Sequence, residues 1–350
     1  MGNLQSIIDY VTKLNLPWEK IHNKTVLISG STGMIGSLLV HVLLNRKENI
    51  HIVALGRNVE KAQNRFKEYW DRKDFQFICH DINEPLNHLN CPKVDFIVHA
   101  ASNTHPIAYA TDPIGTITAN VIGTYHLLNY YKEKDAKRFL FLSSVEIYGD
   151  NRGDIDYFDE PYCGYINCNT MRAGYPESKR VGEALCQAYR KAYNMEVVIA
   201  RLARTYGPTM LQEDTKAVSQ FIKNGIHKQD IVLKSQGNQF YSYIYVGDAV
   251  SGLLTILLKG IDGEAYNIAD AHSDITLKEL AVLIASYSGT KVVFQQPDHL
   301  ESAGYSQAVK AVMNGEKLQK LGWNAHWDIK KGIKETLDYF QTTEKNFEGK

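Results

Sequence analysis

Thr25-Val-Leu-Ile-Ser-Gly-Ser-Thr-Gly-Met-Ile-Gly36 is the stretch that decides the architecture. Val26 to Ile28 is a short apolar run of the kind that forms a strand buried on both faces. Gly30, Gly33 and Gly36 follow, and Met34 to Leu44 is then apolar enough for a helix covered by a sheet. Strand, glycine turn and helix bring unpaired backbone N–H groups and the positive end of a helix dipole to one point, which suits a pyrophosphate. In that geometry Gly30 permits the turn, Gly33 admits a phosphate to the backbone, and Gly36 lets the helix lie close to the strand. The spacing is G-x-x-G-x-x-G rather than G-x-G-x-x-G, so the flanking strand and helix carry the reading, not the glycines alone.

Working outward, Ile50–Leu55, Phe75–Cys79, Asp95–Ala101, Arg138–Ser144 and Glu196–Leu202 read as further strands. Helical patterns over 58–72, 115–133 and 176–193 separate them. This alternation predicts an α/β fold, a Rossmann-type doubly wound parallel sheet with right-handed crossovers. An amphipathic helix over 4–14 precedes it, making 1–23 an N-terminal helical extension. Residues 24–205 form the dinucleotide-binding domain, with 242–272 returning to it. After Tyr206-Gly-Pro208 the pattern turns irregular: a helix near 215–226, a strand near 231–234, and helices near 276–288 and 314–321. Residues 206–241 and 273–350 are therefore expected to form a smaller mixed α/β substrate region. Ligands of open α/β sheets bind beyond the carboxyl ends of the strands. Ser29–Gly36, Leu55–Asn58, Ala100–Thr104 and Ser143–Tyr148 should converge there.

Lys plus Arg equals Asp plus Glu at 39 each, so no electrostatic footprint for nucleic acid or membrane is present. The cysteines at 79, 91, 163, 168 and 186 are odd in number and contain no C-x-x-C, which points to reduced thiols in the cytoplasm. No secretory leader or membrane-length apolar run is visible. The histidines, His99 and His105 among them, lack metal-binding spacing, so no metal is expected.

Tyr175 and Lys179 are one helical turn apart and share a face. An ammonium near a phenol favours the phenolate and lowers its pKa. Such a tyrosine can take a proton from a sugar hydroxyl while hydride leaves the same carbon. Y-x-x-x-K also begins at Tyr69, Tyr130 and Tyr287, where it reads as an ordinary amphipathic pair. Tyr175 differs because it opens the helix that follows a strand ending in Ser143-Ser-Val-Glu-Ile-Tyr-Gly149. Ser144 at the strand tip can donate to the same substrate oxygen, or make a local cap.

These motifs, with His99-Ala-Ala101, Asn120-Val-Ile-Gly-Thr124 and Tyr206-Gly-Pro208, make the chain similar to the extended short-chain dehydrogenases/reductases, and among them to the nucleotide-sugar epimerases and dehydratases. The resemblance covers about residues 24–340. It implies an NAD(P) cofactor, a nucleoside-diphosphate sugar as substrate, and Ser144, Tyr175 and Lys179 as catalytic residues. Glu146 stands where the family places an active-site glutamate, as base or as sugar-orienting acceptor. Gly30, Thr32, Gly33, Met34, Ile35 and Gly36 would hold the cofactor at the glycine turn. Arg57, Asn58, Asp81 and Ile82 would do so at the next two strand ends, Asp81 near the adenine. Ala100, Ala101, Ser102, Asn120, Tyr175, Lys179 and Leu202 complete the cofactor set, Asn120 on the nicotinamide side through ordered water. Thr104, Arg172, Arg204, Gln239 and Tyr241 are the implied substrate contacts. Family dimers pair two helices, here 115–133 and 176–193.

Asn167, Arg172, Glu177, Lys179 and Arg180, then Met210, Asp214 and Val218, and finally Leu321-Gly-Trp323, resemble most the UDP-glucuronate decarboxylase-like branch. Three departures matter. Gly56-Arg57 stands where NAD-preferring members carry a carboxylate for the ribose hydroxyl, and an arginine suits a 2′-phosphate, which favours NADP over NAD. Val145 replaces a polar residue that in 4,6-dehydratases protonates the departing 6-hydroxyl, which argues against net dehydration. Tyr241 replaces the family arginine that holds the diphosphate, while Arg204 replaces an asparagine, so Arg204 is expected to take over the diphosphate contact. The expected activity is hydride transfer at sugar C4, in a decarboxylase-like or 4-epimerase reaction. The alternatives are an NADPH-dependent 4-keto-6-deoxy nucleotide-sugar reductase and a non-catalytic dinucleotide-binding scaffold.

Overall fold

The computed structural model describes residues 2–86, 89, 91, 93–104, 106–296 and 308–348. His105 lies outside the described residues. The chain opens with helix α1 (Gly2–Thr12) and then alternates strand and helix. The strands are β1 (Thr25–Ser29), β2 (His51–Gly56), β3 (Phe75–Cys79), β4 (Phe96–His99), β5 (Arg138–Ser144) and β6 (Val197–Leu202). Between them lie α2 (Met34–Leu44), α3 (Val59–Arg65), α4 (Pro106–Thr111), α5 (Pro113–Lys134) and α6 (Gly174–Tyr193). Beyond β6 come β7 (Arg204–Tyr206), α7 (Ala217–Ile226), β8 (Ile231–Leu233), β9 (Phe240–Tyr245), α8 (Val246–Lys259) and β10 (Ala265–Ile268). The last described elements are β11 (Asp274–Thr276), α9 (Leu277–Ser288), β12 (Val292–Phe294), β13 (Lys310–Ala311), α10 (Glu316–Gln319) and α11 (Ile329–Glu348).

Seven strands form one parallel sheet in the order β10-β6-β5-β4-β1-β2-β3. The order reverses at β1 and β4, and that switch point is where an open α/β sheet accepts a ligand. Side chains alternate across the sheet as the strand period requires. Leu27, Val53, Ile97, Phe139 and Phe141 join the core under α5 and α6. Val26, Ile28, Ala54, Val98, Leu140 and Leu142 join the core under α2 and α8. Every residue of β1 is buried, which is why the strand reads as an unbroken apolar run.

A smaller layer sits beyond the strand ends. β9 pairs antiparallel with β11 and parallel with β7 and β13, while β8 pairs with β12. The structure differs from the sequence-based elements in three places. The helix expected over 58–72 is α3 followed by a separate 3-10 turn at Lys67–Tyr69, broken where Phe66 leaves helical geometry and is fully buried. The N-terminal helix expected over 4–14 ends at Thr12. The late helix expected near 314–321 is the single turn α10, framed by Gly315 and Gly322.

Candidate active site

The carboxyl ends of β1, β4, β5 and β6 and the small layer enclose a cleft of about 350 Å³. At its base Gly30 holds φ +67°, and a Cβ there would lie 2.6 Å from the Ala101 nitrogen. A Cβ on Gly36 would lie 2.3 Å from the Gly30 carbonyl oxygen, so turn and helix touch backbone to backbone. Gly33 starts α2 without any side-chain cap, which leaves the first-turn N–H groups free to face an anion. Gly30, Gly33, Met34, Ile35 and Gly36 all line the cleft. This cradle fits a dinucleotide pyrophosphate: it is closed to any Cβ from below and open above. Thr32 does not line the cleft; its methyl lies near Gly56 instead.

Ser144 ends β5, and its hydroxyl accepts from the Glu146 backbone N–H at 3.3 Å, so the local cap is real. Tyr175 is only 6% exposed yet lines the cleft. Burial pushes its phenol up to about 12, with the Glu146 charge adding to the rise, while Ser144, Arg172 and Tyr109 pull it back. Lys179 lies one helical turn beyond Tyr175 and also lines the cleft. Its ammonium donates to the Leu142 carbonyl at 2.8 Å and is brought down to about 7 by desolvation. Tyr109, from α4, stacks on Tyr175 with centroids 4.8 Å apart and an interplanar angle of 29°. It belongs to no motif, and only its place on the short helix after β4 brings it here.

Glu146 lines the cleft beside Ser144. Arg172 Nη2 donates to its Oε2 at 2.8 Å, and Arg204 Nη2 lies 3.7 Å from its Oε1. The Arg204 guanidinium sits 3.6 Å from the centroid of Tyr241, whose hydroxyl donates to the Ala308 carbonyl at 2.7 Å. The residues at 204 and 241, one on β7 and one on β9, thus meet on one face. Gln239 accepts from Ser235 at 3.3 Å, and with Thr104, Ser102, Ala100 and Leu202 it lines the same cleft.

Other sequence candidates lie outside the cleft. Asn120 is fully buried and donates to Ser178 Oγ at 2.9 Å, and Ser178 in turn donates to the Tyr175 carbonyl at 2.8 Å. Its protein partner is therefore the helix that carries Tyr175. Asn58 caps α3 by accepting from the Lys61 N–H at 2.8 Å. Arg57 is 67% exposed, with Nη1 4.0 Å from Asp81 at the neighbouring strand end. Ile82 is buried against Gly123 of α5. Ala101 donates its N–H to Ser29 Oγ at 3.3 Å, and His99 Nδ1 lies 2.8 Å from the same hydroxyl, so these residues tie β1 to β4 beneath the cleft. Among the described residues no cluster suited to a metal and no helix long and apolar enough to cross a membrane occurs.

Fold and cleft together define a Rossmann-type enzyme with a phenol at the strand ends. The NAD dependent epimerase/dehydratase family matches residues 26–269, and the chain belongs to that family. UDP-glucuronic acid decarboxylase 5 of Arabidopsis thaliana is 37% identical over 315 residues, covering 89% of this chain and 87% of the relative. Two solved structures share the fold at lower identity. The dTDP-glucose 4,6-dehydratase of Bacillus anthracis in complex with NAD has TM-score 0.78 at 24% identity, covering 92% of this chain and 98% of that one. The UDP-glucuronic acid 4-epimerase of Bacillus cereus, in complex with UDP-glucuronic acid and NAD, has TM-score 0.77 at 21% identity, covering 91% and 99%.

Proposed function

We propose that this enzyme oxidises a nucleoside-diphosphate sugar at C4, with the sugar most akin to UDP-glucuronate, and that its net reaction is decarboxylase-like or epimerase-like. The observation that carries the reading is the Tyr175 phenol, buried within the same cleft as the Gly30–Gly36 cradle. A nicotinamide, when bound, supplies the hydride acceptor. Tyr175 takes the proton from the C4 hydroxyl, and Ser144 shares that oxygen. Lys179 and the Asn120–Ser178 bond fix the helix that carries Tyr175. Arg172 and Arg204 hold Glu146 and give the sugar end of the cleft a net positive charge, which suits a diphosphate or a uronate. Oxidation at C4 turns a C6 carboxylate into a β-keto acid, and loss of carbon dioxide follows from that chemistry. Val145 lines the cleft beside Ser144 and has no proton to give a departing C6 hydroxyl, which supports this course over dehydration.

The second reading is an NADPH-dependent 4-keto-6-deoxy sugar reductase. Arg57 at the tip of β2, where no carboxylate stands, favours it, because a guanidinium suits a ribose 2′-phosphate. The two readings differ in stoichiometry. Protein incubated with UDP-glucuronate and NAD should give a product lighter by carbon dioxide, or an isomer of unchanged mass where the course is epimerisation, without net cofactor reduction; stoichiometric loss of NADPH with a 4-keto sugar selects the reductase instead. Tyr175→Phe tests both against a binding scaffold, since an enzyme loses turnover by orders of magnitude while a scaffold keeps its affinity. A homodimer through α5 and α6 is proposed as well. Ile114, Ile117, Ile122 and Tyr125 on α5 and Val181 and Tyr193 on α6 are exposed apolar side chains on two adjacent helices. Sedimentation at a single-chain mass would overturn it.

A further inference from the structure

Residues 209–216 follow the Tyr206-Gly-Pro208 turn, and four of them, Leu211, Asp214, Thr215 and Lys216, line the cleft that holds the Gly30–Gly36 cradle. The near end of this segment is fastened to the cofactor half of the fold. Thr209, only 5% exposed, donates its hydroxyl to the carbonyl of Met34, the first residue of α2, at 2.8 Å. Arg65, the last residue of α3, reaches two partners at once: Nη1 donates to Ser37 Oγ on α2 at 2.9 Å and Nη2 to the Thr209 carbonyl at 3.1 Å. Lys61, one turn earlier on α3, pairs with Glu213. At the far end Thr215 Oγ1 accepts from the Ile107 N–H of α4 at 3.5 Å, and Lys223 of α7 donates to the Asp214 carbonyl at 2.6 Å. α2 leaves β1 and α4 leaves β4, so the segment spans the switch point of the sheet. It is a strap, pinned at α7, touching α4, and latched by side chains to α2 and α3.

The latch is uneven. Lys61 and Glu213 are 30% and 57% exposed, and a pair so open to solvent holds little. Thr209 and Arg65 are turned inward, and the guanidinium bonds are of the stronger, charge-assisted kind. Thr209, Arg65, Ser37 and Glu213 all lie outside the cleft lining. Every bond of the latch joins one protein group to another, so the latch closes as readily over a filled cleft as over an unfilled one.

We propose that residues 209–216 gate the passage of the dinucleotide, with Thr209 and Arg65 as the latch. The strap must part from α2 and α3 before the nicotinamide end can enter or leave the cleft. The inference rests on the reading that the Gly30–Gly36 cradle holds the cofactor, and it names what controls exchange there. A gate of this kind multiplies entry and exit by the same factor, the fraction of time the strap stands open, and leaves affinity unchanged. A strap that gripped the cofactor would slow exit alone.

The test is Thr209→Val, which keeps the shape and removes the donated bond, alongside Arg65→Met, which keeps the stem and removes the guanidinium. Stopped-flow fluorescence gives the entry rate when protein is mixed with NADH, and the exit rate when bound NADH is chased with excess NAD. Thr209→Val should raise both rates about fivefold and Arg65→Met about tenfold, following the loss of a neutral and of a charged hydrogen bond, with the dissociation constant within about threefold. Thr209→Val carries the test by itself where Arg65→Met does not fold. Entry and exit at wild-type rates in a folded Thr209→Val overturn the inference. So does an exit rate that rises alone while affinity falls, because the strap is then a grip and not a gate. Wild-type protein that binds neither NADH nor NADPH overturns the cradle as a cofactor site instead.

Discussion

Gly36→Ala is the substitution whose outcome follows most directly from the geometry. The added Cβ would stand 2.3 Å from the Gly30 carbonyl oxygen and 3.0 Å from Gly30 C and Ser31 Cα. All three atoms are backbone, so no side-chain rotation relieves the clash. Turn and helix must part by about 1 Å, and overpacking of this kind costs about 1–3 kcal/mol. The same movement withdraws the α2 N–H groups from the pyrophosphate. Losing one such charge-assisted bond, worth about 1.5–3 kcal/mol, weakens cofactor binding by about tenfold to a hundredfold. Gly33→Ala separates the two effects. Its Cβ would meet only the Gly30 oxygen, at 3.2 Å, and Gly33 already has φ −75°. Stability should then change by less than about 1 kcal/mol, while a methyl placed in the cradle lowers affinity by a similar factor. Urea unfolding and calorimetric titration with NAD measure both quantities. A Gly36→Ala protein that unfolds at the wild-type midpoint and binds NAD as tightly as wild type would refute the reasoning.

Other outcomes follow from the same cleft. Arg204→Ala should raise the dissociation constant for the nucleotide sugar more than tenfold in fluorescence titration, and an unchanged constant removes the diphosphate role. Arg57→Ala should weaken NADP binding by about tenfold, the loss of one charged hydrogen bond, and leave NAD unaffected; equal effects on both cofactors count against a 2′-phosphate contact. Lys179 gives a pH dependence of stability. In the unfolded chain it keeps its proton up to its ordinary value of 10.5, whereas the folded protein releases it above about 7. Between those values the unfolded state binds more protons, so this group makes stability rise with pH through that window. Lys179→Met should flatten the rise seen in urea melts between pH 7 and 10, and an equal slope in both proteins contradicts it.

The cradle and the first six strands were legible because each strand is a compact apolar run and each glycine has a backbone reason to be there. The edge of the sheet was not. β10 is four residues long, and α8, which leads to it, is buried continuously from Val246 to Leu258. A helix buried all round has a weak polar stripe to reveal its period. β9, Phe240-Tyr-Ser-Tyr-Ile-Tyr245, is nearly all aromatic, so its alternation is hidden. In the site, Ser144, Glu146, Tyr175, Lys179, Arg172 and Arg204 were visible as motif positions. The direction of Lys179 was not, because spacing on a helix fixes a face but not which carbonyl the ammonium finds. Tyr109 left no trace because its significance arises only when α4 is folded against α6.

β7 and β9 run side by side with Arg204 opposite Tyr243, so positions 204 and 241 look onto the same patch from adjacent strands. A positive group can therefore change its address along the chain without changing its place in the molecule. A survey that scores the chain column by column would treat positions 204 and 241 as unrelated, although the Arg204 guanidinium lies 3.6 Å from the Tyr241 ring centroid. Anyone exchanging specificity between this enzyme and its relatives should move the two positions as a couple. Tyr241→Arg alone would crowd two guanidinium groups into one berth, and removing Arg204 alone would leave the berth empty.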